Sequence, residues 1–130
     1  MNKSFSYQRV QHVSVPRPNT AEAIDVARHF YGDVLGLREI KPPSSLAGMN
    51  LIWFRAGDDE VHVFPSDEAG KDVGQHLCLQ VDNLDALRSH LESCDVAIED
   101  AVAITNRPRF FCADPFGNRI ECTAILGAFD

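Results

Sequence analysis

Apolar and polar residues alternate with a period of two in several short stretches, and two other stretches carry apolar residues at helical spacing. Val10-Gln11-His12-Val13-Ser14-Val15 reads as the first strand, ended by Pro16 and Pro18. Asn19 is the expected N-cap of the helix that follows, with Glu22 completing a capping box. That helix carries Ile24, Ala27, Phe30 and Tyr31 along one side, and Gly32 to Gly36 closes it. Leu37 to Lys41 predicts a short strand, and Pro42-Pro43-Ser44-Ser45 a loop. Met49 to Phe54 and Glu60 to Phe64 predict two more strands, joined across Gly57-Asp58-Asp59.

Residues 66–75 are polar, hold Gly70 and Gly74 and lack periodicity, so they read as a connector. The pattern then restarts. His76-Leu77-Cys78-Leu79-Gln80-Val81 matches His12-Val13-Ser14-Val15, and a second helix follows from Asp82 or Asn83 with Leu84, Leu87, Arg88 and Leu91 at helical spacing. Val96 to Ile98, Arg109 to Cys112 and Arg119 to Ile125 complete three strands, the last two joined by the turn Asp114-Pro115-Phe116-Gly117-Asn118. The chain therefore reads as one α+β domain over 1–130, built from two tandem β-α-β-β-β modules. Module 1 spans about 8–65, the linker 66–75 and module 2 about 76–126. One helix covers one face of each curved sheet and leaves the other open for a ligand.

Length fits this reading, since 130 residues suffice for one domain without a disulfide or metal staple. No apolar run reaches the roughly 18 residues a spanning helix needs. With 12 Lys+Arg against 19 Asp+Glu the net charge is -7, which disfavours nucleic acid and anionic membrane as partners. The first residues lack the apolar core of a signal peptide, so a cytoplasmic protein is expected. Cys78, Cys94, Cys112 and Cys122 are scattered, with no C-x-x-C pair; they read as free thiols rather than disulfides or a structural zinc site.

Charge and alternation together single out four polar residues inside apolar strands: His12, His62, His76 and Glu121. Their neighbours suit the helix-covered face, so these four point to the open one. Ser14, Glu60, Cys78, Gln80, Arg119 and Thr123 share that side. Three imidazoles and a carboxylate suit a divalent metal ion such as Zn, Fe, Ni, Mn or Co. Their sequence spacing forms no short metal motif, but His12 and His76 are equivalent in the two modules, as are His62 and Glu121.

The segments Gln11-His12-Val13-Ser14-Val15, His29-Phe30-Tyr31-Gly32-Asp33-Val34-Leu35-Gly36-Leu37, His76-Leu77-Cys78-Leu79-Gln80-Val81 and Asp114-Pro115-Phe116-Gly117-Asn118-Arg119-Ile120-Glu121 resemble the glyoxalase/bleomycin resistance/dioxygenase group, the vicinal oxygen chelate superfamily. The resemblance runs from about Arg9 to Ile125. It implies the glyoxalase/bleomycin resistance/dihydroxybiphenyl dioxygenase-like fold and a homodimer with sites shared between chains. It also implies metal ligands on the first and last strands of each module, here His12, His62, His76 and Glu121. His12 and His62 of one chain would then meet His76 and Glu121 of the other. Glyoxalase and epimerase relatives usually have Glu or Gln where this chain has His62, a departure that removes one candidate carboxylate base. Bleomycin-binding relatives lack the ligand set.

The expected activity is therefore that of a metal-dependent lyase, isomerase or ring-cleaving dioxygenase acting on a small oxygenated substrate. Glu121 would be ligand first and catalytic base second, with Glu60 in reserve. The alternative is a metal-free small-molecule or antibiotic-binding protein. Arg107 and Arg109 are either surface residues or a site for an anionic substrate. His29 and His90 lie on the helices, away from the open face, and Trp53, Phe54, Phe64, Phe110 and Phe111 are mostly core.

Overall fold

Strand pairing repeats itself in the computed structural model, which describes residues 4, 6, 8–70 and 75–128. The first half runs β1 (His12–Arg17), α1 (Ala21–Ala27), β2 (Arg38–Ile40), β3 (Ile52–Ala56) and β4 (Asp59–Pro65). The second runs β5 (His76–Gln80), α2 (Leu84–Ser93), β6 (Glu99–Asp100), β7 (Arg109–Ala113) and β8 (Arg119–Thr123). The two sheets have the orders β1-β4-β3-β2 and β5-β8-β7-β6. In each, the module's first strand pairs parallel with its last and the other pairings are antiparallel. Two equivalent mixed sheets, each with its own helix, make this an α+β fold of two repeated modules. Of the connector, residues 71–74 lie outside the described residues.

Several local expectations shift, each for a physical reason. Pro16 lies inside β1 instead of ending it; β1 is an edge strand, where a missing N–H costs no ladder bond. The Thr20 amide donates to the Pro18 carbonyl, tightening the turn by a residue. Thr20, not Asn19, is then the N-cap, its Oγ1 accepting from the Ala23 amide at 3.2 Å. Gly32 to Gly36 does not close the helix at its start: α1 continues as a π-helical segment, Arg28–Val34, which keeps Phe30, Tyr31 and Val34 buried. The chain leaves it at Gly36, whose φ of +77° suits glycine. A 3-10 turn, Ser44–Leu46, occupies part of the expected loop. In module 2, Val96 and Ile98 pack against the core while the ladder of β6 forms later, Glu99 pairing with Phe111.

The helix-facing sides of both sheets bury one continuous cluster. It runs from Val15, Tyr31, Phe54, Val61 and Val63 in module 1 to Leu77, Leu91, Phe110, Ile120 and Cys122 in module 2. Among the described residues, three polar contacts fasten the modules across it. The Tyr31 hydroxyl donates to Asp114 Oδ2 at 2.7 Å, Asn118 Nδ2 donates to the Pro16 carbonyl at 2.8 Å, and His90 Nε2 donates to the Val34 carbonyl at 2.9 Å. Asp114 also organises its own turn, its Oδ1 accepting from the amides of Phe116 and Asn118, with Gly117 at φ +87°. Burial pushes the Asp114 carboxyl up, and these hydrogen bonds oppose that rise. Burial and the nearby Asp114 push the Tyr31 hydroxyl up as well. All four cysteines are unbonded, Cys112 and Cys122 buried.

Candidate functional site

Alternation along β1 and β4 turns Val15, Val61 and Val63 into the core, so His12, Ser14, Glu60 and His62 stand on the open face. Across the sheet, Trp53 pairs with His62 and Arg55 with Glu60, bringing two residues of β3 onto the same face. His62 is sandwiched. Trp53 stacks on one side of it, 3.7 Å between centroids and 2° between planes, and His12 on the other at 4.1 Å and 18°.

A hydrogen-bond chain fixes these rings. Carboxylate and amide oxygens only accept, so His62 Nε2–H donates to Glu60 Oε1 at 2.9 Å and His12 Nδ1–H donates to Gln11 Oε1 at 2.7 Å. The lone pairs left by those tautomers are Nδ1 of His62 and Nε2 of His12. The hydrogen bond from His62 is the main reason the Glu60 carboxyl lies below its ordinary range, with smaller help from Gln11 and Arg55.

On the second sheet Cys78 pairs with Glu121, Phe111 with Glu121, and His76 with Arg119. Imidazole and carboxylate converge there, His76 Nε2 lying 3.1 Å from Glu121 Oε1. The other carboxylate oxygen of Glu121 is 3.6 Å from Arg109 Nη1. Phe111 sits edge-on to His76 at 5.4 Å and beneath the Arg119 guanidinium at 4.1 Å. Burial, reinforced by Glu121, pushes the Cys78 thiol up to about 11, which makes it a poor nucleophile at neutral pH.

The structure therefore brings His76 to Glu121 and His12 to His62, but it does not gather all four in one chain. A groove of about 740 Å³ is lined by His12 and Glu60 together with the end of β5, Cys78 to Gln80. A second, of about 370 Å³, places His76 and Arg119 beside Ser14 and Pro16. β1 and β5 thus run side by side in opposite senses. Register puts His62 level with Ser14 on the first sheet and Glu121 level with Cys78 on the second, so the two pairs stand on different sheets. Among the described residues no group of three or more His, Cys, Asp or Glu side chains is placed to hold a metal ion. Gln11 and Arg55 are site residues to which the sequence assigned no role, and Trp53, expected with four other aromatics to be mostly core, joins them on the open face; the signal for Arg55 and Trp53 was their period-two spacing with each other along one strand.

Two tandem β-α-β-β-β modules, each with an open face carrying imidazole and carboxylate, define the class: paired-module proteins built on two mixed four-stranded sheets. The chain belongs to the Glyoxalase/Bleomycin resistance protein/Dioxygenase superfamily, whose family profile matches residues 9–122. Among solved structures it is similar to a glyoxalase family protein from Bacillus anthracis, at 30% identity over 95% of this chain and 99% of that one, with a TM-score of 0.87. A lactoylglutathione lyase from Agrobacterium tumefaciens (20% identity, 91% and 94% covered, TM-score 0.69) and a glyoxalase/dioxygenase from Nostoc punctiforme (18%, 96% and 98%, 0.71) share the fold. No curated protein matches the chain. No helix among the described residues is long and apolar enough to cross a membrane.

Proposed function

We propose that the protein is a metal-dependent enzyme of the lyase, isomerase or ring-cleaving dioxygenase type, acting on a small oxygenated substrate at a site shared by two copies of the chain. The observation that carries this reading is the convergence of His76 and Glu121. His76 Nε2–H donates to Glu121 Oε1 at 3.1 Å; once that proton is displaced, the same nitrogen and oxygen would span what two neighbouring ligands of one ion span when each lies about 2.1 Å from it. His12, exposed, and His62, buried between Trp53 and His12, would add two further imidazole lone pairs, oriented by Gln11 and Glu60 as ligating histidines usually are by an outer carboxylate or amide.

His76 and Glu121 of one chain with His12 and His62 of a second would hold a divalent ion. Bound there, it would supply Lewis acidity, or redox chemistry if it were iron, toward vicinal substrate oxygens. This chain's own contribution is positional and protonic. Glu60 and Gln11 keep the two imidazoles in fixed tautomers, Trp53 and Phe111 wall the faces against water, and Glu121 and Glu60 are the carboxylates able to carry a proton.

Elemental analysis of protein purified without a metal-chelating tag tests the proposal. Near-stoichiometric metal, lost in a His76→Ala/Glu121→Ala double variant, is expected; the reading fails if the wild-type chain holds none after exposure to Zn, Fe, Ni, Mn and Co. A shared site also requires a particle of twice the 14.4 kDa chain. One observation favours a second reading, a metal-free small-molecule-binding protein of cytoplasmic location: the first module's rings are already satisfied by stacking and by Glu60 without an ion.

A further inference from the structure

The open faces do not share the charge of the whole chain. Register places Arg38, Arg55, Arg109 and Arg119 on them, against Glu60, Glu99 and Glu121 among the described residues. That is a balance of +1 on surfaces of a chain whose net charge is -7. Arg38 and Arg55 stand directly opposite each other, Arg55 lying 3.6 Å from Glu60, and Arg119 lies 3.5 Å from Glu99. In the second module the Arg109 side chain is only 18% exposed, and its Nε is buried with no hydrogen-bond partner. Its other contacts are the Val102 carbonyl, the face of Phe111 at 5.5 Å and the Glu121 carboxylate at 3.6 Å.

We propose that Arg109 is a substrate-binding residue that holds an oxyanion group, carboxylate or phosphate, next to the His76–Glu121 pair. The proposal deepens the functional reading above and rests on it in one respect: ligation through Oε1 would draw off the negative charge of Glu121, the acid that Arg109 contacts among the described residues. A largely buried guanidinium without its acid recruits another oxyanion, and its planar fork suits a two-oxygen acceptor. Phe111, stacked beneath Arg119 and beside Arg109, gives the anion an apolar floor that strengthens both charges. The substrate class that follows is a small anionic molecule bearing oxygens near its carboxylate or phosphate, and neutral analogues would bind weakly.

Calorimetric titration of the full chain with inorganic phosphate and, separately, with acetate provides the test, using Glu121→Gln to neutralise the acid without any metal. Glu121→Gln is expected to bind one of the two anions roughly tenfold tighter than wild type and than Glu121→Gln/Arg109→Gln. The tighter anion identifies the group the substrate carries. Equal affinities of the single and double variants, or no binding of either anion to Glu121→Gln, would overturn the proposal. Should the double variant not fold, the Arg109 Nε–H resonance in Glu121→Gln decides: it must shift saturably with the anion, and a fixed resonance refutes the assignment. Metal content measured on the wild-type preparation is a separate readout, so a metal-free protein would sink the metalloenzyme reading while the anion titration still stands.

Discussion

Removing the Tyr31 hydroxyl should loosen the fastening between the modules without disturbing their packing. In Tyr31→Phe the ring keeps its edge-on contact with Phe30 at 5.2 Å and its contact with Phe54 at 5.6 Å. What is lost is the 2.7 Å hydrogen bond to Asp114, between two buried groups. A buried hydrogen bond to a charged acceptor contributes about 1.5–3 kcal/mol. Asp114 retains bonds from Phe116, Asn118 and the Asn118 side chain, so the low half of that range, about 2 kcal/mol, is expected. For a chain of this length that corresponds to a melting-temperature drop of roughly 6–10 °C. Urea unfolding at fixed protein concentration is the assay, with the slope against denaturant unchanged.

The same variant makes a signed pH prediction. Burial raises the Asp114 carboxyl above its unfolded value, so the native state binds the proton more tightly and stability falls as pH rises through that interval. Tyr31 is one of the donors opposing the rise; without it the carboxyl moves further up and the penalty for ionising it grows. The deficit of Tyr31→Phe should therefore be larger at about pH 8 than at about pH 4, where more of the carboxyl is protonated. A loss below about 0.5 kcal/mol at both values, or a deficit that grows toward acid, would refute the role given to this bond.

Three other outcomes follow from local geometry. Thr20→Ala should cost about 1 kcal/mol by urea unfolding, because Thr20 Oγ1 caps α1, whereas Asn19→Ala should be close to neutral. Gly36→Ala should cost about 1–2 kcal/mol through backbone strain alone, since φ is +77° and an added Cβ would meet nothing within 4 Å. Iodoacetamide at about pH 8, followed by peptide mass spectrometry, should label Cys94 well before Cys78 although both are exposed. The Cys78 thiol is pushed up to about 11 by burial and Glu121, leaving about one thiolate in a thousand at that pH. Glu121→Gln should accelerate Cys78, and equal labelling in wild type would contradict the environment described.

Alternation carries face but not distance, and that sets what the sequence could reveal. The period of two along Val13, Val15, Val61, Val63, Leu77 and Ile120 is imposed by the shared core, so it also fixes that His12, His62, His76 and Glu121 face away from it. Element ends were less legible because single hydrogen bonds decide them. The Thr20–Pro18 contact moved a cap by one residue, and an edge position let β1 run through Pro16. The partners that orient the candidate ligands were hidden for another reason: Trp53 and Arg55 reach His62 and Glu60 only through strand register, which a chain met as a string does not display. Repeat symmetry says that four donors are equivalent in pairs; strand pairing says that the two pairs stand on different sheets. A two-fold axis placing the open face of the first sheet against the second sheet of another copy would bring His12 and His62 to the partner's pair, and would do so twice. A chain that binds one ion per copy while remaining monomeric would keep the metal and defeat the shared site, whereas a dimer that binds no ion would defeat the metal and leave the assembly standing.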